Sequence, residues 1–340
     1  MRFVREWARS LAPRVSMSRR CILLAFAAAF LPPSLPAQAA EPYPSKPIRI
    51  VVPFAAGGST DILARNIAQR LNESMRSPVI VDNRPGGAGV VGADHVAKSA
   101  ADGYTLLMGT NTTHAVAPHL YSKLPYNPLR DFIPISEVAY NPQFLDVHPS
   151  IPARSVKELI ALARARPGEL NFGTAGQGTT AHMAMELFRS MAKIDMVHVP
   201  YKGTGPAMND LLGGHLSPMF DVVLTTLPHM KAGRIRVLGV SSLQRVEVAP
   251  EVPTIAESGL PGYEALVWFG LFVPAGTPSD IVARLSSEVA TIVRHPKLTE
   301  AFRLQGLTPV GSTSADFAIR VRKEHERWGK VIREAGIRLD

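Results

Sequence analysis

Cysteine is almost absent from this chain of 340 residues, which contains one, Cys21. Cys21 lies within residues 1–40, which we interpret as a leader that is removed on export. The mature protein then has no thiol, so disulfides, thiolate metal sites and a cysteine nucleophile are excluded together. Because the apolar stretch follows Cys21 instead of preceding it, we expect no lipid anchor.

Long hydrophobic runs are also lacking. The apolar stretch from Cys21 to Leu31 has about 11 residues, well short of the roughly 20 that a membrane-spanning helix needs. It follows Arg19-Arg20 and precedes Ala37-Gln38-Ala39, which is the pattern of a signal peptide over residues 1–40. The paired arginines leave both the general secretory route and the twin-arginine route open. Either route predicts a periplasmic protein.

Positive charge is scarcer than the formal net charge of +9 suggests. Residues 1–39 hold six arginines against one glutamate, a net +5, which leaves +4 of the +9 for the rest. There the basic residues alternate with acids, as in Arg322-Lys323-Glu324-His325-Glu326-Arg327. We therefore expect no nucleic-acid partner, whereas small acidic solutes remain natural partners.

Catalytic motifs are missing as well. The sequence has no Gly-x-Ser-x-Gly, His-Glu-x-x-His or Walker loop, so we predict a protein that is not an enzyme and needs no metal or cofactor. The run Gly87-Ala88-Gly89-Val90-Val91-Gly92 does fit the dinucleotide fingerprint. However, the next strand lacks the acid that would hold the ribose, and Pro85 falls in the turn that would wrap the pyrophosphate. A tight structural turn is the favoured interpretation over a nucleotide site.

What the sequence does contain is an alternation of short apolar strands with amphipathic helices. Leu63, Ile67 and Leu71, spaced by four, predict a helix over residues 61–73. Short apolar strands that enclose helices are typical of an α/β fold whose parallel sheet is covered on both faces. The proline-rich stretches 125–134 and 248–262 are predicted to flank crossovers between two domains.

Three segments carry clear signals for helix starts. Ser155-Val156-Lys157-Glu158 is a capping box, and Thr277-Pro278-Ser279-Asp280 predicts a helix with proline at its first position. Residues 314–335 predict a long amphipathic helix.

Two glycine-rich turns lead from a strand into a helix, at residues 53–61 and again at 170–180. In the first, Gly57 and Gly58 permit a tight turn, and the Ser59-Thr60-Asp61 run that follows suits a helix start. A helix start offers free N–H groups and a partial positive charge, and so it binds anions. The two turns are therefore predicted to face each other and hold an acid.

Some polar residues near these turns allow two interpretations each. Asp221 ends a predicted strand on the edge where α/β sheets bind ligands. There it either meets a ligand ammonium or hydroxyl, or it makes a helix-cap or hinge hydrogen bond. Lys202 either steers anions or is an exposed, solvated lysine. His182 is either a buried structural donor or a support for Thr179 and Thr180.

The sequence resembles the extracytoplasmic solute-binding receptors of tripartite tricarboxylate transporters, the Bug proteins, along its whole mature length. The following runs carry the resemblance: Tyr43-Pro44-Ser45-Lys46-Pro47-Ile48, Val52-Pro53-Phe54, Gly57-Gly58-Ser59-Thr60-Asp61, Asn83-Arg84-Pro85-Gly86, Asp102-Gly103-Tyr104-Thr105-Leu106-Leu107, Val197-His198-Val199-Pro200-Tyr201-Lys202-Gly203, Asp210-Leu211-Leu212-Gly213-Gly214, Leu227-Pro228-His229, Val252-Pro253-Thr254 and Pro274-Ala275-Gly276-Thr277-Pro278.

The resemblance implies a type II periplasmic binding protein fold, in which two doubly wound α/β lobes joined by crossover strands close on one small carboxylate. Lobe 1 is expected to comprise residues 45–140 and 262–340, and lobe 2 residues 141–261. The resemblance and the two glycine-rich turns together predict the ligand site. Its predicted residues are Phe54, Ala55, Gly57, Gly58, Ser59, Asp61, Gly109, Thr110, Asn111, Thr112, Thr174, Ala175, Gly176, Gly178, Thr179, Thr180, His182, Tyr201 and Asp221.

The sequence departs from the family pattern in two places. Ala55-Ala56 stands where prolines are frequent, and Val222-Val223 stands where a polar pair is common. The second departure predicts a more apolar wall and argues against a very polar ligand such as citrate. The resemblance implies a monomer that passes a mono- or dicarboxylate to membrane permease subunits. A ligand-sensing subunit for a membrane sensor kinase would share the same fold and site.

Overall fold

The structure, a computed structural model, describes residues 43–338 apart from Lys202. The predicted signal peptide, residues 1–40, and both interpretations of Lys202 lie outside this part of the chain. Within it, none of the helices combines the length and the apolar character that crossing a membrane requires.

The described chain forms ten strands, which belong to one connected sheet. They are β1 (Ile48–Val52), β2 (Val79–Asn83), β3 (Thr105–Thr110), β4 (Phe132–Val147), β5 (Asn171–Thr174), β6 (Val197–Pro200), β7 (Met219–Val222), β8 (Arg236–Val240), β9 (Leu266–Pro274) and β10 (Thr308–Pro309).

Helices connect most of these strands. They are α1 (Ser59–Met75), α2 (Val90–Ala97), α3 (Ala117–Leu120), α4 (Val156–Ala165), α5 (Thr180–Ala192), α6 (Thr204–Leu212), α7 (Val223–Lys231), α8 (Ser279–Val293), α9 (Pro296–Leu304) and α10 (Ser314–Ala335). A 3₁₀ turn, Gly87–Gly89, precedes α2, and a π-helical turn, Thr112–Val116, precedes α3.

The strand order is β2-β1-β3-β9-β4-β7-β5-β6, with β8 and β10 paired to β4. At one end β1 pairs in parallel with β2 and β3, and at the other β5 pairs in parallel with β6 and β7. The two central strands β4 and β9 run antiparallel to their neighbours. The predicted parallel pairing is found at both ends of the sheet, whereas the centre is antiparallel because two long strands join the ends there.

Strand β4 has 16 residues and serves both ends of the sheet. Residues 132–142 pair with β9, whereas residues 143–147 pair with β7 and β8. The strand passes from one parallel group to the other, as the predicted crossover requires.

The apolar core is divided in the same way, and helix α10 contributes to both parts. Near its start, Phe317 packs in a cluster with Val51 and Trp268. Near its end, Trp328 packs in another cluster with Phe188. The helix thus spans the junction between the two ends of the sheet.

Two predicted helices are confirmed in detail. The helix predicted over 61–73 extends over Ser59–Met75 and buries Leu63, Ile67 and Leu71, and the predicted helix 314–335 is found with the same bounds.

The predicted start at Thr277 is wrong in one respect. The helix begins at Ser279, so Pro278 occupies the position before the first helical residue. The Thr277 hydroxyl instead donates to the Pro274 carbonyl at 2.8 Å.

Candidate ligand-binding site

A cavity of about 1090 Å³ lies between the two ends of the sheet. Its walls come from the turns after β1, β2, β3, β5, β6 and β7 and from the central strands β4 and β9. A cavity of this size accommodates a small organic molecule.

Four helices begin at the wall of this cavity. Helix α1 starts at Ser59 and α6 at Thr204, and neither start has a side-chain cap. Helix α5 starts at Thr180 and α7 at Val223. The first N–H groups of a helix have no partner within it and carry a partial positive charge. These helix starts make the wall electropositive, and the described residues on it include no lysine or arginine.

The turn before α1 is held from behind by Asp61. Gly57 has a φ of +83°, which favours glycine, and its N–H donates to Asp61 Oδ2 at 2.9 Å. Burial alone would raise the pKa of Asp61, but hydrogen bonds from Arg65, Gly57 and Asn83 outweigh it and hold the pKa below its ordinary value. The carboxylate thus fixes the turn and does not face the cavity.

A buried histidine supports the turn before α5. The Gly178 N–H donates to His182 Nδ1 at 3.1 Å, and the His182 ring stacks on His198 with 4.0 Å between centroids. Burial, together with the neighbouring His198 and Arg189, lowers the pKa of His182 to about 3. The ring is neutral at physiological pH and accepts at Nδ1. The ring is buried and supports the turn at Gly178, whereas the predicted support was for Thr179 and Thr180.

Hydroxyl groups link the two ends of the sheet at the cavity. The hydroxyls of Thr112 and Thr180 lie 2.9 Å apart, and the Thr180 hydroxyl donates to Asn111 Oδ1 at 3.0 Å. The Asn111 amide in turn donates to the Leu266 carbonyl at 2.8 Å. This chain of bonds ties the end of β3 to the start of α5 and to β9.

Asp221 makes hydrogen bonds where β7 leads into α7. Its Oδ1 accepts the Val222 N–H at 2.8 Å, one residue before the helix, and its Oδ2 accepts the hydroxyl of Thr225 in the first turn of α7 at 2.6 Å. It also lines the cavity. Burial raises its pKa to about 7, although the bonds from Thr225 and Val222 act in the opposite direction.

The structure divides the predicted site residues into two groups. Those that line the cavity are Phe54, Ala55, Gly57, Gly58, Ser59, Thr110, Thr112, Ala175, Gly176, Thr179, Thr180, Tyr201 and Asp221. Those that do not are Asp61, Gly109, Asn111, Thr174, Gly178 and His182. The second group lies behind the wall, where Asp61, Asn111 and His182 hold its turns by hydrogen bonds.

Several cavity residues were missed by the sequence analysis. They are Pro53, Ala56, Thr60, Pro85 to Gly89, Gln143, Gln177, Ala181, Gly203 to Pro206, Met208, Leu224, Thr225, Pro228, His229, Val267 and Phe269. The 3₁₀ turn Gly87–Gly89 is a structural turn, as favoured above, and it also forms part of the wall. Gly203, between β6 and α6, repeats the strand-glycine-helix pattern, which was the signal available for that segment.

Charged side chains are scarce on the wall. Among the described residues that line the cavity there is no lysine or arginine, and the titratable ones are Asp221, His229 and Tyr201. Burial lowers the pKa of His229, and Arg234 lowers it further. An anion in this cavity would be held by backbone N–H groups and hydroxyls.

Comparison with known proteins identifies the family. The family model described as "Tripartite tricarboxylate transporter family receptor" matches residues 63–337. The chain belongs to this receptor family. Protein BugT of Bordetella pertussis is 41% identical over 303 residues, which cover 88% of this chain and 92% of BugT.

Solved structures of receptors with bound acids are also similar. MatC (Rpa3494) from Rhodopseudomonas palustris, with bound malate, is 32% identical at a TM-score of 0.80, covering 85% of this chain and all (100%) of MatC. R. palustris Rpa4515, with adipate, is 40% identical at a TM-score of 0.84, covering 87% of this chain and 99% of Rpa4515. These receptors confirm the predicted fold class, a two-lobed periplasmic binding protein fold.

Proposed function

We propose that this receptor binds a small mono- or dicarboxylate in the periplasm and delivers it to the membrane permease subunits of a tripartite tricarboxylate transporter. The observation that carries the proposal is the set of helix starts around a cavity whose described wall has no lysine or arginine. Hydrogen bonds to a charged group contribute roughly 1.5 to 3 kcal/mol each. Three or four of them are enough for micromolar binding, about 8 kcal/mol. The malate and adipate bound by the two similar receptors support the same ligand class.

Binding without chemistry is part of this proposal. The family that the chain matches is one of transporter receptors, which supports binding without turnover. We also infer lobes at residues 45–140 plus 262–340 and at 141–261, with α10 packed against both.

The cavity wall supports a ligand with an apolar body. Val222, Leu224, Val267 and Phe269 line it beside the helix starts. Such a wall favours an aliphatic or aromatic chain between or beside the carboxylates, because apolar surface gains free energy when it leaves water. This agrees with the argument from Val222-Val223 against citrate.

Prolines at the start of α1 test the helix-start mechanism. Proline is tolerated at the first helical position, and Gly58 before it has an extended ψ of 169°, which suits a residue preceding proline. Ser59→Pro removes the N–H and the hydroxyl, whereas Ser59→Ala removes the hydroxyl alone. We expect calorimetry with adipate and malate to give an affinity about 10- to 100-fold lower for Ser59→Pro than for Ser59→Ala, the loss of one charged hydrogen bond.

A matched control exists on α8, whose first residue, Ser279, does not line the cavity. Ser279→Pro should leave the affinity unchanged. Equal affinities for Ser59→Pro and Ser59→Ala would contradict the role of this helix start. If none of a panel of mono- and dicarboxylates binds the unaltered protein, the proposed function is wrong.

A further inference from the structure

Two buried carboxyl groups lie side by side next to the ligand cavity. Asp221 on β7 is 5% exposed and Asp146 on β4 is fully buried. In the sheet Asp221 faces Phe144, and Asp146 follows two residues later on the same strand, so the two side chains are diagonal neighbours on one face. Asp146 Oδ2 accepts the Thr226 hydroxyl at 2.9 Å, while Asp146 Oδ1 has no hydrogen-bond partner among the described residues.

No cation in the described structure pairs with either carboxyl group. The elements packed against β7 are β4, β5, α5 and α7. Their titratable side chains, apart from Asp146, are Glu137 and Tyr140 in the first part of β4, His182, Glu186 and Arg189 on α5, and His229 and Lys231 on α7. Arg189 binds Glu186 at 2.7 Å, and Lys231 is exposed. The electrostatic neighbour that raises the pKa of Asp146 is Asp221 itself.

An ionised Asp221 would weaken the binding of an anionic ligand in this cavity. Repulsion between two charges is strong where water is excluded, and both carboxyl groups are already desolvated. A proton on Asp221 removes the repulsion and leaves a neutral carboxyl group beside the ligand.

We propose that a carboxylate binds to this receptor together with one proton, which Asp221 holds. The inference rests on the proposed function and adds a residue that determines specificity. An acid with no cationic group near Asp221 is favoured, whereas an ammonium at the same place would require the ionised form.

The protonation of the free protein is consistent with this arrangement. Burial raises the pKa of Asp221 to about 7, and burial together with Asp221 raises the pKa of Asp146 well above its ordinary value. Asp221 therefore titrates near neutral pH, and the shift at Asp146 favours its protonated form. A bound carboxylate shifts Asp221 towards the protonated form, so the protein takes up a proton from the solvent.

Calorimetry with adipate in buffers of different ionisation enthalpy counts these protons directly. At pH 8 we expect the uptake of close to one proton per adipate, and near pH 7, the pKa of Asp221, about half of one; at both values free adipate is fully ionised and contributes no proton of its own. The affinity should fall about tenfold per pH unit above the pKa of Asp221 in the free protein, because each bound ligand then requires one proton.

Two variants separate Asp221 from the other titratable group on the wall. Asp221→Asn, a neutral isostere, should bind adipate with no proton uptake at pH 8 and with an affinity that is flat with pH. His229→Gln should keep the uptake at pH 8. If Asp221→Asn does not fold, the number of protons taken up by the unaltered protein and by His229→Gln still tests whether a proton binds with adipate and whether His229 holds it.

Adipate binding with no proton flux at pH 8, or with proton release, overturns this inference and leaves the proposed function intact. The loss of binding at every pH in a folded Asp221→Asn variant also overturns it, because the ionised form would then be required. If no carboxylate of the panel binds the unaltered receptor, the proposed function fails and this inference fails with it.

Discussion

At the scale of single residues, Gly92 is a position where backbone contact decides the side chain. A Cβ atom there would lie 2.8 Å from Pro53 Cα and 2.9 Å from the Arg84 carbonyl oxygen, distances that real contacts do not adopt. Helix α2 thus packs directly against the turn that follows β1. The last glycine of the apparent dinucleotide fingerprint serves this close packing in the structure.

Gly92→Ala should therefore destabilise the receptor. Overpacking a rigid contact costs about 1 to 3 kcal/mol, so we expect a loss of that size in the free energy of unfolding, measured by urea denaturation. Gly205→Ala is the matched control, because Gly205 lies in α6 with open space around the new Cβ atom. A helical glycine-to-alanine change of this kind stabilises by up to about 1 kcal/mol. Equal stability of Gly92→Ala and the unaltered protein would contradict the packing argument.

At the scale of secondary-structure elements, the capping box before α4 is confirmed in a modified form. The Ser155 hydroxyl accepts the Glu158 N–H at 3.2 Å, as predicted. The Glu158 carboxylate, however, accepts from the N–H of Arg154 at 2.7 Å and not from that of Ser155. The helix start therefore satisfies two donors, with the second one residue earlier than in the standard motif.

Removing this cap should have a local and moderate effect. Ser155→Ala should lower the free energy of unfolding by about 1 kcal/mol. Ser155→Asp retains an acceptor at the cap and should therefore keep most of the stabilisation that the cap provides. Thermal or urea unfolding measures both. Adipate affinity should not change, since Ser155 is remote from the cavity wall. An alanine variant as stable as the unaltered protein would argue against the cap.

At the scale of the whole molecule, buried titratable groups affect the pH dependence of stability in opposite directions. Burial lowers the pKa of His114 to about 3 and raises the pKa of Asp146 well above its ordinary value. Below the ordinary histidine pKa, near 6.5, His114 binds a proton in the unfolded chain but stays neutral in the folded chain. His114 therefore makes the fold less stable as pH falls. Asp146 has the opposite sign, because the folded chain holds its proton to a higher pH than the unfolded chain does.

The contribution of Asp146 can be isolated with Asp146→Asn. Above the ordinary carboxyl pKa, near 4, the folded chain binds more protons at Asp146 than the unfolded chain does. The free energy of unfolding of the unaltered protein therefore decreases as pH rises. The variant has no such loss. Its stability relative to the unaltered protein should increase from pH 5 to pH 8, as measured by urea denaturation at both. Parallel pH profiles would rule out the raised pKa.

Much of the fold was predictable because local patterns decide it. The spacing of Leu63, Ile67 and Leu71 predicted α1, the amphipathic pattern predicted α10 with correct bounds, and the strand-glycine-helix turns predicted two of the helix starts at the cavity. The antiparallel centre was not predictable from these patterns. A strand such as β4 is equally apolar whichever way its neighbours run, and only its pairing with β9, β7 and β8 decides the direction.

The sequence alone determined the family, the α/β elements and the helix starts that suit an acid, since each depends on residues close together in the chain. The tertiary structure decided which side chains face the cavity and which support it. Asp61 and His182 lie behind the wall although their neighbours in sequence line it. It also placed Asp221 beside Asp146, 75 residues apart in the numbering. Burial and the proximity of charged groups arise only when distant segments of the chain come together. The tertiary structure, and not the local sequence, therefore determines the protonation of this site.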